Sequence, residues 1–309
     1  MYDVNPNVKH DIRNNWWLQP YFFYTIRSTN TKGSRGYEYD YTKRCGFIIF
    51  VIFIFPLYWM VVTALKTQVE IFEIPTPLWP RNLSLDAFKA QLSASSDTTL
   101  RGFKNSTIIA VGATIISTVL SIPASYGLAR FRFRAKKAMI LFFLITQMLP
   151  STLVLTSLYI MFSKIGLLNT YWAPILADAT LGILFSIIIL RTYFLSIPKE
   201  LDEAANIDGC GHWKSFFLIM LPIAKPGVVV VAVFSFVYAW GDLIYGITFI
   251  TNPNMRPITS SIYNYVQQYQ TLWNSTMAFG IIAISPVVLI FIFMQRYIVS
   301  GLTNGAVKA

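Results

Sequence analysis

Six stretches of about 20 residues or more, each long enough to cross a hydrocarbon core as a helix, run almost without charge: 46–65, 106–129, 138–163, 171–190, 226–251 and 277–295. Within them only Asp178 and Asp242 carry a carboxylate. In lipid a helix satisfies its own backbone polar groups, so the pattern predicts an all-α membrane protein of six transmembrane helices. The polar connection 66–104 carries Pro75, Pro77 and Pro80, then an apolar repeat at helical spacing from Leu85 to Leu92, which predicts an extended turn and a short helix. No repeat with a period of 20 to 50 residues is visible.

Composition agrees. The 309 residues are 55% hydrophobic and 13% charged, where soluble chains carry about 25% charged residues. That balance excludes an ordinary soluble enzyme. With 24 Phe, 17 Tyr and 8 Trp and a mean hydropathy of +0.52, the chain suits lipid with aromatic anchors at both surfaces.

The net charge of +11 changes meaning once it is placed on the six spans. One side holds 18 of the 25 Lys and Arg: the amino-terminal arm, the connections from span two to three and from four to five, and the tail. The opposite side holds 7. Basic residues accumulate in cytoplasmic loops, so both termini are expected inside and no nucleic-acid partner is implied. The expected organisation is a cytoplasmic arm over 1–45, a six-span transmembrane body over 46–300 and a cytoplasmic tail over 301–309. In the arm, Trp16, Trp17, Tyr21, Phe22, Phe23 and Tyr24 surround Pro20, a composition suited to the inner headgroup layer. Its seven basic residues and lack of a cleavable apolar run do not make a signal peptide. Cys45 and Cys210 stand far apart and outside any metal-type spacing, so no disulfide framework or metal site is expected.

Catalytic chemistry has no candidate. No G-x-x-x-x-G-K-[ST] loop occurs, His10 and His212 lack triad or metal partners, and no cofactor is expected on this chain. The informative stretch is the inner connection 196–222. Pro198 suits the first turn of a helix, Glu200, Asp202 and Glu203 complement the positive end of its dipole, and Gly209 suits a left-handed stop. Leu201, Ala204 and Ala205 fall on one face, an apolar stripe that requires either a protein partner or the membrane surface. Inside the spans, Asp178 and Asp242 are expensive in hydrocarbon and must face protein or a wet cavity. They, with Trp240 and Gln147, are the candidates for a solute pathway, and for Asp242 a structural hydrogen bond is the competing role.

Several segments together carry a resemblance. Glu203-Ala204-Ala205, Ile207-Asp208-Gly209 and Ile219-Met220-Leu221-Pro222 are spaced as in the signature loop of ATP-binding-cassette importer permeases, in particular the carbohydrate-uptake branch. Phe55 to Met60, Tyr126 to Phe133, Met148-Leu149-Pro150, Gly166 to Thr170 and the tail Gly301 to Ala309 are similar to the shorter permease of maltose-type systems. At Trp240-Gly241-Asp242-Leu243 the chain departs from the family's usual Trp-Asn-Glu-Phe. The resemblance implies a type I importer permease fold and a transport subunit without an ATPase site of its own. It further implies a second permease, two ATPase subunits holding ATP and Mg, an extracytoplasmic solute-binding protein, and a sugar or oligosaccharide cargo, neutral or acidic.

The resemblance also assigns roles. Glu203, Ala204, Ala205, Asp208, Gly209, Leu221 and Pro222 would couple to the ATPase, and Gly301, Thr303, Asn304 and Gly305 would reach it from the tail. The outer loop 252–274, with Tyr263, Tyr265, Tyr269 and Trp273, would meet the binding protein or a sugar, although such rings are also ordinary interfacial anchors. A permease for another polar solute, a secondary transporter with coupling ions at its intramembrane carboxylates, and a scaffold without transport are the rival readings.

The charge map makes a direct prediction. A single cysteine at Tyr263 is expected to label from outside intact cells, and one at Asp208 only after permeabilisation. Labelling of both in intact cells would refute the topology.

Overall fold

The computed structural model describes residues 34–93, 97–262 and 272–306. The chain divides into two units, Met1–Trp59 and Met60–Ala309. The first contributes most of helix α1, Ser34–Ala64, which starts well before the apolar stretch that announces it. From Phe47 to Phe55 its apolar side chains are exposed on every side, as expected of a helix solvated by lipid. Phe55 stacks on Trp59 at 6.1 Å.

In the second unit every described element is helical. After α2, Gln68–Ile71, and α3, Asp86–Leu92, the long α4 runs Asp97–Arg130. The third apolar stretch is two helices, α5 Lys136–Gln147 and α6 Ser151–Lys164, bent by 97° at Met148-Leu149-Pro150. Pro150 supplies no N–H and disfavours helix at Leu149, so the break falls where the sequence places it. Then follow α7 Trp172–Ser196, α8 Glu200–Ile207, α9 His212–Ile223 and α10 Lys225–Gly241, α11 Ile244–Phe249 and α12 Trp273–Ala306. By length and composition four helices are able to cross a membrane, and six if the pairs α5–α6 and α9–α10 each count as one span.

The fifth stretch differs most from a simple span. Its helix stops at Gly241, restarts as α11, and is preceded by a 73° bend between α9 and α10. Pro222 has no N–H to give, and upstream of it the helix loosens into π geometry over Phe216–Met220.

Helices α4, α7 and α10 form the centre, and α12 packs on α10. Helix α7 is apolar all round and is the most enclosed: 56% of its most apolar window is buried, against 17% for α12. At the inner end Tyr126, Leu190, Phe194, Phe216 and Met220 make one apolar cluster. Further out, Ala110, Ala113, Ala179, Ala239, Trp240 and Phe279 make another.

The outer ends are tied by polar side chains. Asn105 donates to Asn254 O at 2.9 Å and to Arg256 O at 3.0 Å while accepting from Tyr171 Oη at 2.8 Å. Asn169, with φ +59°, uses its side-chain oxygen to accept from Thr251 N at 2.8 Å and Asn252 N at 3.1 Å. The 66–93 segment holds the expected short helix as α3, and the turn before it is pinned by its own polar groups. Buried Lys66 donates to Pro77 O, and buried Glu70 accepts from Arg81 N at 2.6 Å.

One contact fixes the spacing of α7 and α10. A Cβ added at Gly227 would lie 2.6 Å from Tyr193 Cγ and within 2.9 Å of two further ring atoms. Gly227→Ala is therefore expected to cost about 1–3 kcal/mol, seen as a lower melting temperature of the purified protein. Adding Tyr193→Ala should restore part of the loss, and an unchanged melting temperature in Gly227→Ala would show that the ring is free to move.

Candidate functional site

The inner connection folds as a short helix held against the span bundle. Glu203 N donates to Lys199 O at 3.1 Å, and Asp208 N to Ala204 O at 3.0 Å. Gly209 takes φ +76°, and Cys210 N closes back onto Ala205 O at 2.8 Å, the wide bond that terminates a helix on a left-handed residue. A side chain there would be strained, which explains the glycine.

The apolar stripe expected over Leu201, Ala204 and Ala205 is divided. Ala205 is buried against the bundle, whereas Leu201, Glu203, Ala204 and Asp208 stay exposed. Ile207, 86% exposed, joins them as an apolar tip that spacing alone did not single out. Leu221 is half-buried and Pro222 exposed at the end of α9. On the same helix Trp213 and Phe217 stack at 6.3 Å with both rings exposed, suited to the headgroup layer.

What holds α8 in place is an ion pair. Arg130, the last residue of α4, brings Nε to 2.9 Å from Asp202 Oδ2, a charge contact rather than a linear hydrogen bond, with side-chain exposures of 7% and 20%. The same guanidinium donates to Ile197 O at 3.0 Å and reaches Met220 Sδ at 3.6 Å. Ser215 Oγ lies 3.4 Å from Asp202 Oδ1. One cation thus gathers the end of α4, the end of α7, α8 and α9. Charge counting treats Arg130 as a topological residue and Asp202 as a dipole partner, and nothing in their spacing joins them.

The intramembrane candidates separate. Asp242 accepts from Tyr245 N at 2.9 Å and Gly246 N at 3.2 Å, capping α11, and its carbonyl accepts from Thr259 Oγ1 at 2.6 Å. This is the structural hydrogen-bonding role. Trp240 is buried, donates from Nε1 to Ala283 O at 2.9 Å and meets Phe103 edge-on at 5.3 Å. Its ring joins α10 to α12 in this conformation. Asp178 is 2% exposed, and neither carboxylate oxygen has a hydrogen-bond partner among the described residues. Asp178 is thus enclosed by protein, one of the two surroundings expected of it. Gln147 alone of the four is exposed, at the break between α5 and α6, with Nε2 donating to Leu181 O of α7 at 3.1 Å.

Of the outer-loop candidates, Trp273 opens α12 and is 41% exposed, while Tyr263, Tyr265 and Tyr269 lie outside the described residues. In the tail, Gly301, Thr303, Asn304 and Gly305 continue the backbone of α12, which ends at Ala306. The arm before Ser34 and residues 307–309 lie outside the described residues.

Comparison with known proteins fits this geometry. Residues 117–304 match the family described as binding-protein-dependent transport system inner membrane component. The chain is 35% identical over 266 residues to the probable ABC transporter permease protein YurM of Bacillus subtilis (strain 168), covering 85% of this chain and 86% of that one. It is 31% identical to the diacetylchitobiose uptake system permease protein DasC of Streptomyces coelicolor, covering 84% and 94%. The fold is shared, at TM-score 0.74 and 16% identity, with a chain of a bacterial ABC transporter involved in the import of the acidic polysaccharide alginate, covering 87% and 98%.

The ion pair yields a prediction separable from transport. Arg130→Met strands a largely buried carboxylate, a change worth about 3 kcal/mol at the lower end for buried pairs, or roughly 100-fold in a local opening equilibrium. Hydrogen exchange across Glu200–Ile207 should accelerate accordingly. Arg130→Met with Asp202→Leu should exchange more slowly than Arg130→Met alone, because two apolar groups leave no stranded charge; equal exchange in all three proteins would remove the pair as the anchor.

Proposed function

The chain belongs to the family of binding-protein-dependent transport system inner membrane components, and on that premise we propose that it is one of two unlike permease subunits of an ATP-binding-cassette importer for a sugar or oligosaccharide. It is a multi-pass protein of the prokaryotic cytoplasmic membrane. ATP and Mg are held by two partner ATPase subunits, and the cargo arrives on an extracytoplasmic solute-binding protein. The sugar class is supported by relatives that handle diacetylchitobiose and alginate.

The observation that carries the reading is the outward face of α8. Leu201, Glu203, Ala204 and Ile207 are exposed on a helix whose opposite side is fixed by Ala205 and by the Asp202–Arg130 pair. A short helix anchored on one face and free on the other is a rigid plug for a protein cleft. In the importer it transmits closure of the ATPase pair to α4 and α7, and the bundle changes between two packings that open to opposite sides.

Each residue then has a part. Glu203 offers a carboxylate to a cation of the ATPase, Ala204 permits close approach, and Ile207 supplies an apolar tip. Gly209 ends the plug, and Leu221-Pro222 sits beside the bend through which α9 turns into α10. The tail Gly301 to Gly305 extends α12 towards the same partner.

Glu203→Lys is expected to reach the membrane, to lose at least about tenfold in ATPase co-purification, and to lose sugar uptake, since charge reversal at a docked interface costs several factors of ten when desolvated. Gly209→Val should retain more ATPase binding yet lose uptake, because a β-branched residue does not hold φ +76° and the plug is mis-aimed. Wild-type binding and uptake in Glu203→Lys would show that α8 is not the coupling element.

A further inference from the structure

The break between α5 and α6 lies within the third apolar stretch, at membrane depth, and leaves Met148 81% exposed. Irregular backbone at such depth persists only where protein covers it or where it lines a wet cavity. A cavity of about 300 Å³ lies at this break, walled by Gln147 and Ser151 from the two half-helices, Phe185 of α7, and Phe234, Ser235 and Tyr238 of α10. Four polar side chains, Gln147, Ser151, Ser235 and Tyr238, converge there. Asp178, Trp240 and Asp242 do not line it.

Its chemistry is specific in kind. Gln147 is oriented by the bond from Nε2 to Leu181 O, which leaves its amide oxygen to accept a hydroxyl proton. Ser235 is buried and lies 3.4 Å from Ser186 Oγ, so its hydroxyl is fixed from behind by α7. Phe185 and Phe234 meet at 5.6 Å with their planes at 60°, presenting an apolar corner. Hydroxyl donors and acceptors beside aromatic carbon suit a pyranose ring, polar at its rim and apolar on its faces. The volume stands at the lower end of small-molecule sites, about 300–1,000 Å³, and has room for one sugar ring.

Charge narrows the class further. None of the described residues lining the cavity is charged. An anionic sugar would give up its water and meet no cation among the described residues that line the cavity.

Resting on the importer reading above, we propose that this cavity is the subunit's own sugar subsite and that it takes one uncharged pyranose ring of the cargo. Gln147 and Tyr238 hydrogen-bond its hydroxyls, and Phe185 and Phe234 cover an apolar face. The partner permease closes the open side. Sugar selection then resides partly in the membrane, in addition to the binding protein.

The test uses the complete complex in liposomes: both permeases, the ATPases and the loaded binding protein. A panel of radiolabelled neutral oligosaccharides, including maltose and diacetylchitobiose, is set beside uronate oligosaccharides prepared from alginate, and sugar imported per ATP hydrolysed is read for each protein. Wild type is expected to import neutral sugars in preference to uronates. Gln147→Leu should lower sugar imported per ATP by about tenfold, the equivalent of a lost hydrogen bond, and Tyr238→Phe should lower it severalfold. Co-purification of the partner permease reports assembly, and if Gln147→Leu fails to assemble, Tyr238→Phe, which removes a single oxygen, decides alone. Ratios within twofold of wild type in the assembled variants, or a wild type that imports only uronates, overturn the subsite while leaving the importer reading standing. A wild-type complex that imports no sugar but another solute overturns both.

Discussion

A guanidinium placed at the inner end of a membrane helix has two ways to satisfy five N–H donors: water, or protein oxygen. Arg130 takes the second, with a carboxylate from α8, a backbone carbonyl from the end of α7 and a contact to the sulfur of Met220 on α9. Arginine suits this position because its planar fork serves several acceptors in fixed directions, which a lysine ammonium does not. The cost of desolvating the pair is offset by those extra bonds, and what the arrangement contributes is geometry more than net stability. Without it, α8 would be a short helix of 8 residues, below the length at which helices persist alone.

The bilayer imposes the second constraint. Backbone groups that leave the helical ladder inside lipid must find partners within the protein. The chain leaves the ladder at Met148-Leu149-Pro150, where Met148 and Leu149 N–H groups turn back to Ile145 O and Thr146 O at 3.0 and 3.2 Å. It leaves again at Asp242-Leu243, where the Asp242 side chain caps the restarted helix. The two breaks differ in kind. A carboxylate consumed by two N–H groups is a structural component, whereas an amide at a break with one side committed and one side open is equipped to meet a solute.

These differences mark what was legible in the sequence. Six apolar stretches, the stop at Gly209 and the exposed Glu203 face of the inner helix follow from periodicity, dipole complementarity and the steric freedom of glycine, all local properties. The interruption of the third stretch was written in Pro150, but a proline inside a membrane span is as often a kink as a break, as the unbroken α4 and α12 around Pro123 and Pro286 show. The Arg130–Asp202 pair was not legible, because its members stand 72 positions apart and each has a sufficient local explanation. For Trp240 and Asp242 the sequence left the partner open for a related reason. A costly group in lipid signals that a partner exists, not whether the partner is a solute or the chain itself.

Helix α7 joins the two ends of the proposed mechanism. Gln147 grips the carbonyl of Leu181 near the middle of that helix, and Arg130 grips the carbonyl of Ile197 immediately beyond its end. The 16 residues between them span about 24 Å at 1.5 Å per residue. Over that length α7 is one uninterrupted helix packed against α4 and α10, and the proposed mechanism has it move as a rod. In that mechanism a displacement of α8 by the proposed partner is carried to the cavity along α7. It arrives as a shift of the Leu181 carbonyl, which orients the Gln147 amide. The reverse direction holds equally, since coupling between two sites is reciprocal: a ring that holds the Gln147 amide oxygen in place biases where the inner end of α7, and with it α8, comes to rest.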